Sequence, residues 1–195
     1  MHRNRSVPDV KAKRMRWKEF EKKLPADRLV FLDESGVNIG MVRRYGRSRG
    51  GKRVVDRSPL NKPKGTTVLS AIRANGIFAQ ASCQGGTTKE KFLQYVRETL
   101  TPELRPEDIV VIDNLSAHHA PQIAEMIHQT GAHPLYLPPY SPDFNPIEKL
   151  WSKMKVYLRK CRALTLDALE LEIHNTFSSV ASSNCKNWFS AAGYC

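Results

Sequence analysis

The sequence predicts an α/β domain with a mixed five-stranded sheet, an antiparallel meander continued by parallel strands, and helices flanking it. Three observations lead there. Leu29-Val30-Phe31-Leu32 and Ile109-Val110-Val111-Ile112 are dense apolar runs, the pattern of strands buried on both faces. The elements follow the order β-β-β-α-β-α-β-α-α, so a meander precedes a βαβ unit. Both apolar runs stop at a carboxylate, Asp33 and Asp113. An unpaired charge is costly to bury, so each acid is expected at the open end of its strand, on one edge of the sheet.

Along the chain, residues 9–24 read as a helix with Trp17, Phe20 and Leu24 on one apolar stripe and Asp9 as its cap. Pro25-Ala26-Asp27 ends it before the first strand, Leu29 to Asp33, which is followed by Val37 to Val42. The basic, Gly-rich segment 43–65 is too polar for a core and is expected to form an arm. Thr66 to Ile72 and Ile77 to Cys83 are strands about the turn Asn75-Gly76. Thr88 is placed to cap a helix whose apolar face is Phe92, Leu93, Tyr95, Val96 and Leu100.

After the strand at Ile109, Pro121 opens a helix carrying Ile123, Ala124 and Ile127, which stops at Gly131. His133 to Leu137 is a short strand ended by Pro138-Pro139. A stiff turn, Tyr140 to Pro146, leads into a helix through Leu150, Trp151, Met154 and Leu158. Asn145 as cap, Pro146 first in the helix and Glu148 three past the cap match the helix-start signals. A last helix spans about Thr165 to Val180, with Leu166, Leu169, Ile173 and Phe177 apolar. Residues 1–27 are expected to be a basic linker and docking helix, and 28–195 one domain.

Composition narrows the partners. The formal net charge is +12, which points to a polyanion. The cations are segregated: Arg43, Arg44, Arg47, Arg49, Lys52, Arg53, Arg57, Lys62 and Lys64 are opposed locally only by Asp56, and Lys149, Lys153, Lys155, Arg159, Lys160 and Arg162 form a second group. Nucleic acid is the expected partner, with Arg43, Arg44, Arg47, Arg49, Lys52, Arg53, Lys149 and Lys153 as phosphate contacts. No apolar run reaches the roughly 20 residues that span a bilayer, and the basic N-terminus leads into no signal segment. A cytoplasmic protein without membrane contacts or a small-molecule cofactor is expected. Cys83, Cys161, Cys185 and Cys195 form no CxxC pair and are expected to be reduced thiols.

Asp33, Asp113 and Glu148 are placed to meet. Three carboxylates about one point repel unless cations lie between them, and the hard ion that suits oxygen donors is Mg²⁺, with Mn²⁺ as substitute. Two such ions about 4 Å apart support in-line displacement at phosphorus. The residues therefore suggest metal-dependent cutting or transfer of nucleic-acid strands. Asp143, in the same turn as Glu148, is the rival third acid, unless it satisfies backbone donors there. Glu34 is expected on the opposite strand face. Asn114 and His118 are candidates to contact phosphate or orient a metal ligand.

Three motifs, FLDESG (31–36), VIDNLSAHH (111–119) and LPPYSPDFNPIEKLW (137–151), closely resemble the catalytic domain of IS630/Tc1/mariner transposases. The 34 residues between Asp113 and Glu148 agree, and NWFSAAGY (187–194) is similar to the IS630 group. The resemblance covers about residue 28 onward. It implies an RNase H-like fold and a DDE transposase that cuts and joins DNA, with Asp33, Asp113 and Glu148 as catalytic and metal-binding residues. It also implies transposon-end and target DNA as partners and a homodimer on DNA. The family's N-terminal helix-turn-helix region has no counterpart in Met1 to Lys23, which is too short for one. Two rival readings are a non-catalytic DNA-binding remnant and another RNase H-fold nuclease.

Overall fold

The computed structural model describes residues 8–43, 45–55, 65–114 and 120–194. Five strands, β1 (Leu29–Asn38), β2 (Gly65–Arg73), β3 (Gly76–Gln84), β4 (Ile109–Ile112) and β5 (His133–Tyr136), form one sheet in the order β3-β2-β1-β4-β5. β1 pairs antiparallel with β2 and β2 with β3, while β1–β4 and β4–β5 are parallel. This is the expected mixed sheet, with the RNase H-like arrangement of its strands.

Strand alternation divides the core in two. Leu29, Phe31 and Val111 pack on one face with residues of α1 (Pro8–Glu21), α4 (Ile147–Cys161), α5 (Leu166–Ser178) and α6 (Ser182–Ala191). Val30, Leu32, Val110 and Ile112 pack on the other with α2 (Lys89–Tyr95), the π-helical turn Val96–Leu100 that continues it, and α3 (Pro121–Gln129). Aromatic edges lock the first face: the Phe31 ring stands 5.3 Å from Phe189 and 4.8 Å from Tyr194 between centroids.

Local signals act as expected at several ends. The Thr88 and Thr165 hydroxyls accept the backbone N–H of Lys91 and Ala168 and cap α2 and α5. Gly131 leaves α3 at φ 80°, where a Cβ would stand 3.3 Å from Pro106, so both backbone and space require glycine.

Three expectations are corrected. β1 is one ten-residue strand that runs through Asp33 to Asn38, so no separate strand covers 37–42. Its antiparallel partner β2 is long enough to carry the ladder past the acid. Phe20 is 43% exposed and lies edge-on to Trp17 instead of in the core. Trp17 alone of that pair is buried, its indole donating to the Tyr194 hydroxyl at 3.2 Å. A sixth helix, α6, was not expected.

The N-terminal helix is clasped to the proline-rich turn. Arg14 donates to Asp143 at 2.5 and 3.1 Å, to the Ser141 hydroxyl at 2.7 Å and to the Tyr140 carbonyl at 3.2 Å, and stands 4.5 Å over the Phe144 ring. Charge-assisted bonds contribute roughly 1.5–3 kcal/mol when sheltered, but Asp143 is nearly half exposed, so Arg14→Ala is expected to cost about 1 kcal/mol. Hydrogen exchange should quicken in α1 and in the turn; acceleration confined to α1 would show that the clasp does not hold the turn.

No helix is long and apolar enough to cross a membrane among the described residues. Cys83, Cys161 and Cys185 are free thiols.

Candidate active site

Register brings the two aspartates together. β1 and β4 pair from Leu29↔Ile109 to Leu32↔Ile112, so the next step along both strands sets Asp33 beside Asp113. Asp113 lies just past the end of β4 and is half-buried, as the sequence suggested. Asp33 departs from expectation. It is the fifth of ten residues in β1, paired across the ladder with Ser70, and only 8% exposed. It marks the end of the parallel pairing, not the end of its strand.

Glu148 occupies the first turn of α4 and is exposed. The three acids feel one another. Asp33 is pushed up to about 8, first by burial and then by the charges of Asp113 and Glu148, against hydrogen bonds from the Glu34 backbone and Trp151. Although the residue as a whole is exposed, the carboxyl of Glu148 is raised, first by its partial desolvation against the protein and then by Asp113, with Lys155 pulling the other way. The carboxylates stand in one field without closing on a point. Among the described residues, no three His, Cys, Asp or Glu side chains are near enough to hold a metal ion as placed.

What Asp33 touches was not expected from the sequence. One oxygen, Oδ2, accepts the Trp151 indole N–H at 3.2 Å and the Asn145 amide at 3.3 Å; the other, Oδ1, accepts the Glu34 backbone N–H at 2.8 Å. Asn145 is therefore not the side-chain cap of α4. The helix starts at Ile147 with Pro146 before it and has no side-chain cap bond. The two roles use different atoms: a cap accepts backbone N–H through Oδ1, whereas Asp33 takes the Nδ2 donor, and Asn145 Oδ1 has no partner among the described residues. Trp151 is buried as core packing predicts, but its N–H has this further role.

Asp143, the rival third acid, is held by Arg14 of α1. Glu34 packs on the opposite face from Asp33, as alternation requires. Asn114 is exposed immediately beyond Asp113. His118 and Arg44 lie outside the described residues, as do Arg57, Lys62 and Lys64.

Arg43, Arg47, Arg49, Lys52 and Arg53 are all exposed, on a segment whose described residues form the short 3-10 turn Arg49–Gly51, and Lys149 is exposed beside Glu148. Lys153 is half-buried, and its Nζ donates to the Ser179 carbonyl and the Asn184 side chain, each at 3.1 Å. It ties α4 to the α5–α6 junction, since a half-buried ammonium needs acceptors and these carbonyl groups supply them.

Solved structures of the Mos1 mariner transposase share the fold at low identity. The paired-end complex with Mg has a TM-score of 0.77 at 16% identity, covering 93% of this chain and 57% of that one. The strand transfer complex has a TM-score of 0.74 at 16% identity, covering 93% and 56%. The isolated catalytic domain has a TM-score of 0.70 at 14% identity, covering 97% and 89%. The chain thus spans less than two thirds of the Mos1 chains in these complexes. No curated protein matches in sequence. The sequence profile of the DDE superfamily endonucleases matches residues 28–170, the stretch holding Asp33, Asp113 and Glu148, and the chain belongs to that family.

Proposed function

We propose that the chain is the catalytic part of a transposase that cleaves DNA strands and joins the freed ends to target DNA, with Asp33, Asp113 and Glu148 as its catalytic carboxylates. The observation that carries this is the β1–β4 register, which sets Asp33 beside Asp113 within the field of Glu148.

The residues fit a hard divalent cation. Asp33 is a buried carboxylate whose donors are all neutral, and the buried Asn145 Oδ1 beside it has no partner among the described residues. An oxygen-only set of this kind suits Mg²⁺ or Mn²⁺. Asp33, Asp113 and Glu148 would hold two ions, which when bound supply Lewis acidity at the reacting phosphate. The resemblance to Mos1, solved as a paired-end complex with Mg, supports the same ion here.

The chain's own part is to gather the acids, keep Asp33 from bulk water and draw in the phosphodiester. Arg43, Arg47, Arg49, Lys52, Arg53 and Lys149 are the exposed cations suited to the last task. Transposon ends and target DNA are the partners, engaged by a homodimer.

Incubating the protein with DNA carrying the element's ends, in Mg²⁺, Mn²⁺ or EDTA, tests the reading. Nicking is expected only with metal and is expected to disappear in Asp113→Ala. Nicking that persists in EDTA or in Asp113→Ala would refute the site; no nicking in any arm would favour a non-catalytic DNA-binding remnant.

A further inference from the structure

Asp33 is held in an unequal way. Its Oδ2 takes two side-chain donors, Asn145 Nδ2 at 3.3 Å and Trp151 Nε1 at 3.2 Å, whereas Oδ1 takes only the Glu34 N–H at 2.8 Å. An ionised carboxylate has about four lone-pair directions, two on each oxygen. Three are filled, and the one left open is on Oδ1. Both side-chain donors are nearly inaccessible, Asn145 at 5% and Trp151 at 2% exposed, so water does not compete for them.

The donors also come from the segment that carries Glu148. Asn145 is three residues before it and Trp151 three after it, one turn along α4 on the same side. The two bonds to Asp33 therefore fix the turn and the first turns of α4 against β1. The position of the third acid depends on the first through these contacts.

We propose that Trp151 and Asn145 are positioning residues that hold the Asp33 carboxylate through Oδ2, leave Oδ1 the more open toward the bound ions, and set Glu148 in place through α4. This rests on the reading of Asp33 as a metal ligand. In this role each acts through Asp33. The role requires an N–H, not an aromatic or polar volume, so a tryptophan elsewhere in the same core cannot substitute.

Mn²⁺ binding to the DNA-free protein, measured by calorimetry or by loss of the free-ion electron paramagnetic signal, tests this. Removing the partner that orients a metal ligand costs about 10–100-fold in affinity. Trp151→Phe, which keeps the ring and loses the N–H, is expected to weaken Mn²⁺ binding about tenfold, and Asn145→Ala by a similar factor. Asp33→Asn is expected to lose the site. Trp188→Phe, which removes an indole from α6, is expected to bind like wild type. Mg²⁺ should change indole emission in wild type and Trp188→Phe but not in Trp151→Phe.

If Asp33→Asn loses Mn²⁺ while Trp151→Phe and Asn145→Ala both bind like wild type, the positioning role is overturned and the site reading stands. If wild type binds no Mn²⁺, or Asp33→Asn binds it unchanged, both are overturned. Thermal melts accompany each variant; should Trp151→Phe fail to fold, Asn145→Ala carries the same decision.

Discussion

Asp33→Asn is expected to make the metal-free protein more stable at pH 8 while abolishing metal-dependent cleavage. Burial and the neighbouring acids push Asp33 up to about 8, whereas an unfolded aspartate titrates near about 4. Between those values the folded chain binds more protons than the unfolded one, so stability falls as pH rises through that window. Asparagine removes this penalty, which amounts to a few kcal/mol at most.

The amide cannot match every donor around it. With its oxygen on Trp151 and Asn145, its NH₂ faces the Glu34 N–H, and that mismatch costs about 1–2 kcal/mol. The net gain expected is about 2 kcal/mol, a rise in melting temperature of about 5 °C. Melts from pH 5 to 8 in EDTA should decline for wild type and flatten for the variant. Added Mg²⁺ should raise the wild-type melting temperature alone. A variant less stable than wild type at pH 8 would mean that Asp33 is not penalised by its surroundings.

The second large effect lies at the other end of the sheet. Arg73 ends β2, Asp108 precedes β4, and their ion pair spans the start of β1 with both side chains buried. Arg73 also donates to the Glu103 carbonyl at 3.2 Å and lies 4.2 Å over the Phe78 ring, while Asp108 accepts the Arg105 backbone N–H at 2.8 Å. Removing one partner leaves an uncompensated buried charge, at a cost of about 3–5 kcal/mol. Asp108→Ala should therefore lower the melting temperature by about 10 °C. Replacing both, Arg73→Met with Asp108→Leu, should recover most of the loss, because no charge is then stranded. A melting temperature for Asp108→Ala within about 2 °C of wild type would show that solvent reaches the pair.

Much of this molecule is legible in its sequence, and the reason is local. The apolar runs at 29–32 and 109–112 could only be buried strands, and Asn75-Gly76 could only turn β2 into β3. Thr88 and Thr165 cap their helices through bonds three residues away. The α6 helix was missed because its Ser- and Asn-rich stretch has weak helix propensity. Its signal was the four-residue spacing of Cys185 and Phe189, which are both buried.

By itself the sequence determined the strand set, the three acids and the 34 residues between Asp113 and Glu148. These follow from short-range rules of burial, turn chemistry and helix starts. Only the tertiary structure decided what each acid meets. Asp33 takes its donors from residues 112 and 118 positions away, and Asp143 is claimed by Arg14 across 129 positions. Such pairings depend on which side chains the packed sheet and helices bring within about 3 Å, in a low-dielectric interior where an unmet charge or donor is too costly to leave alone. Asn145 shows the difference most plainly: its local position marks it as a helix cap, and the fold turns it to Asp33.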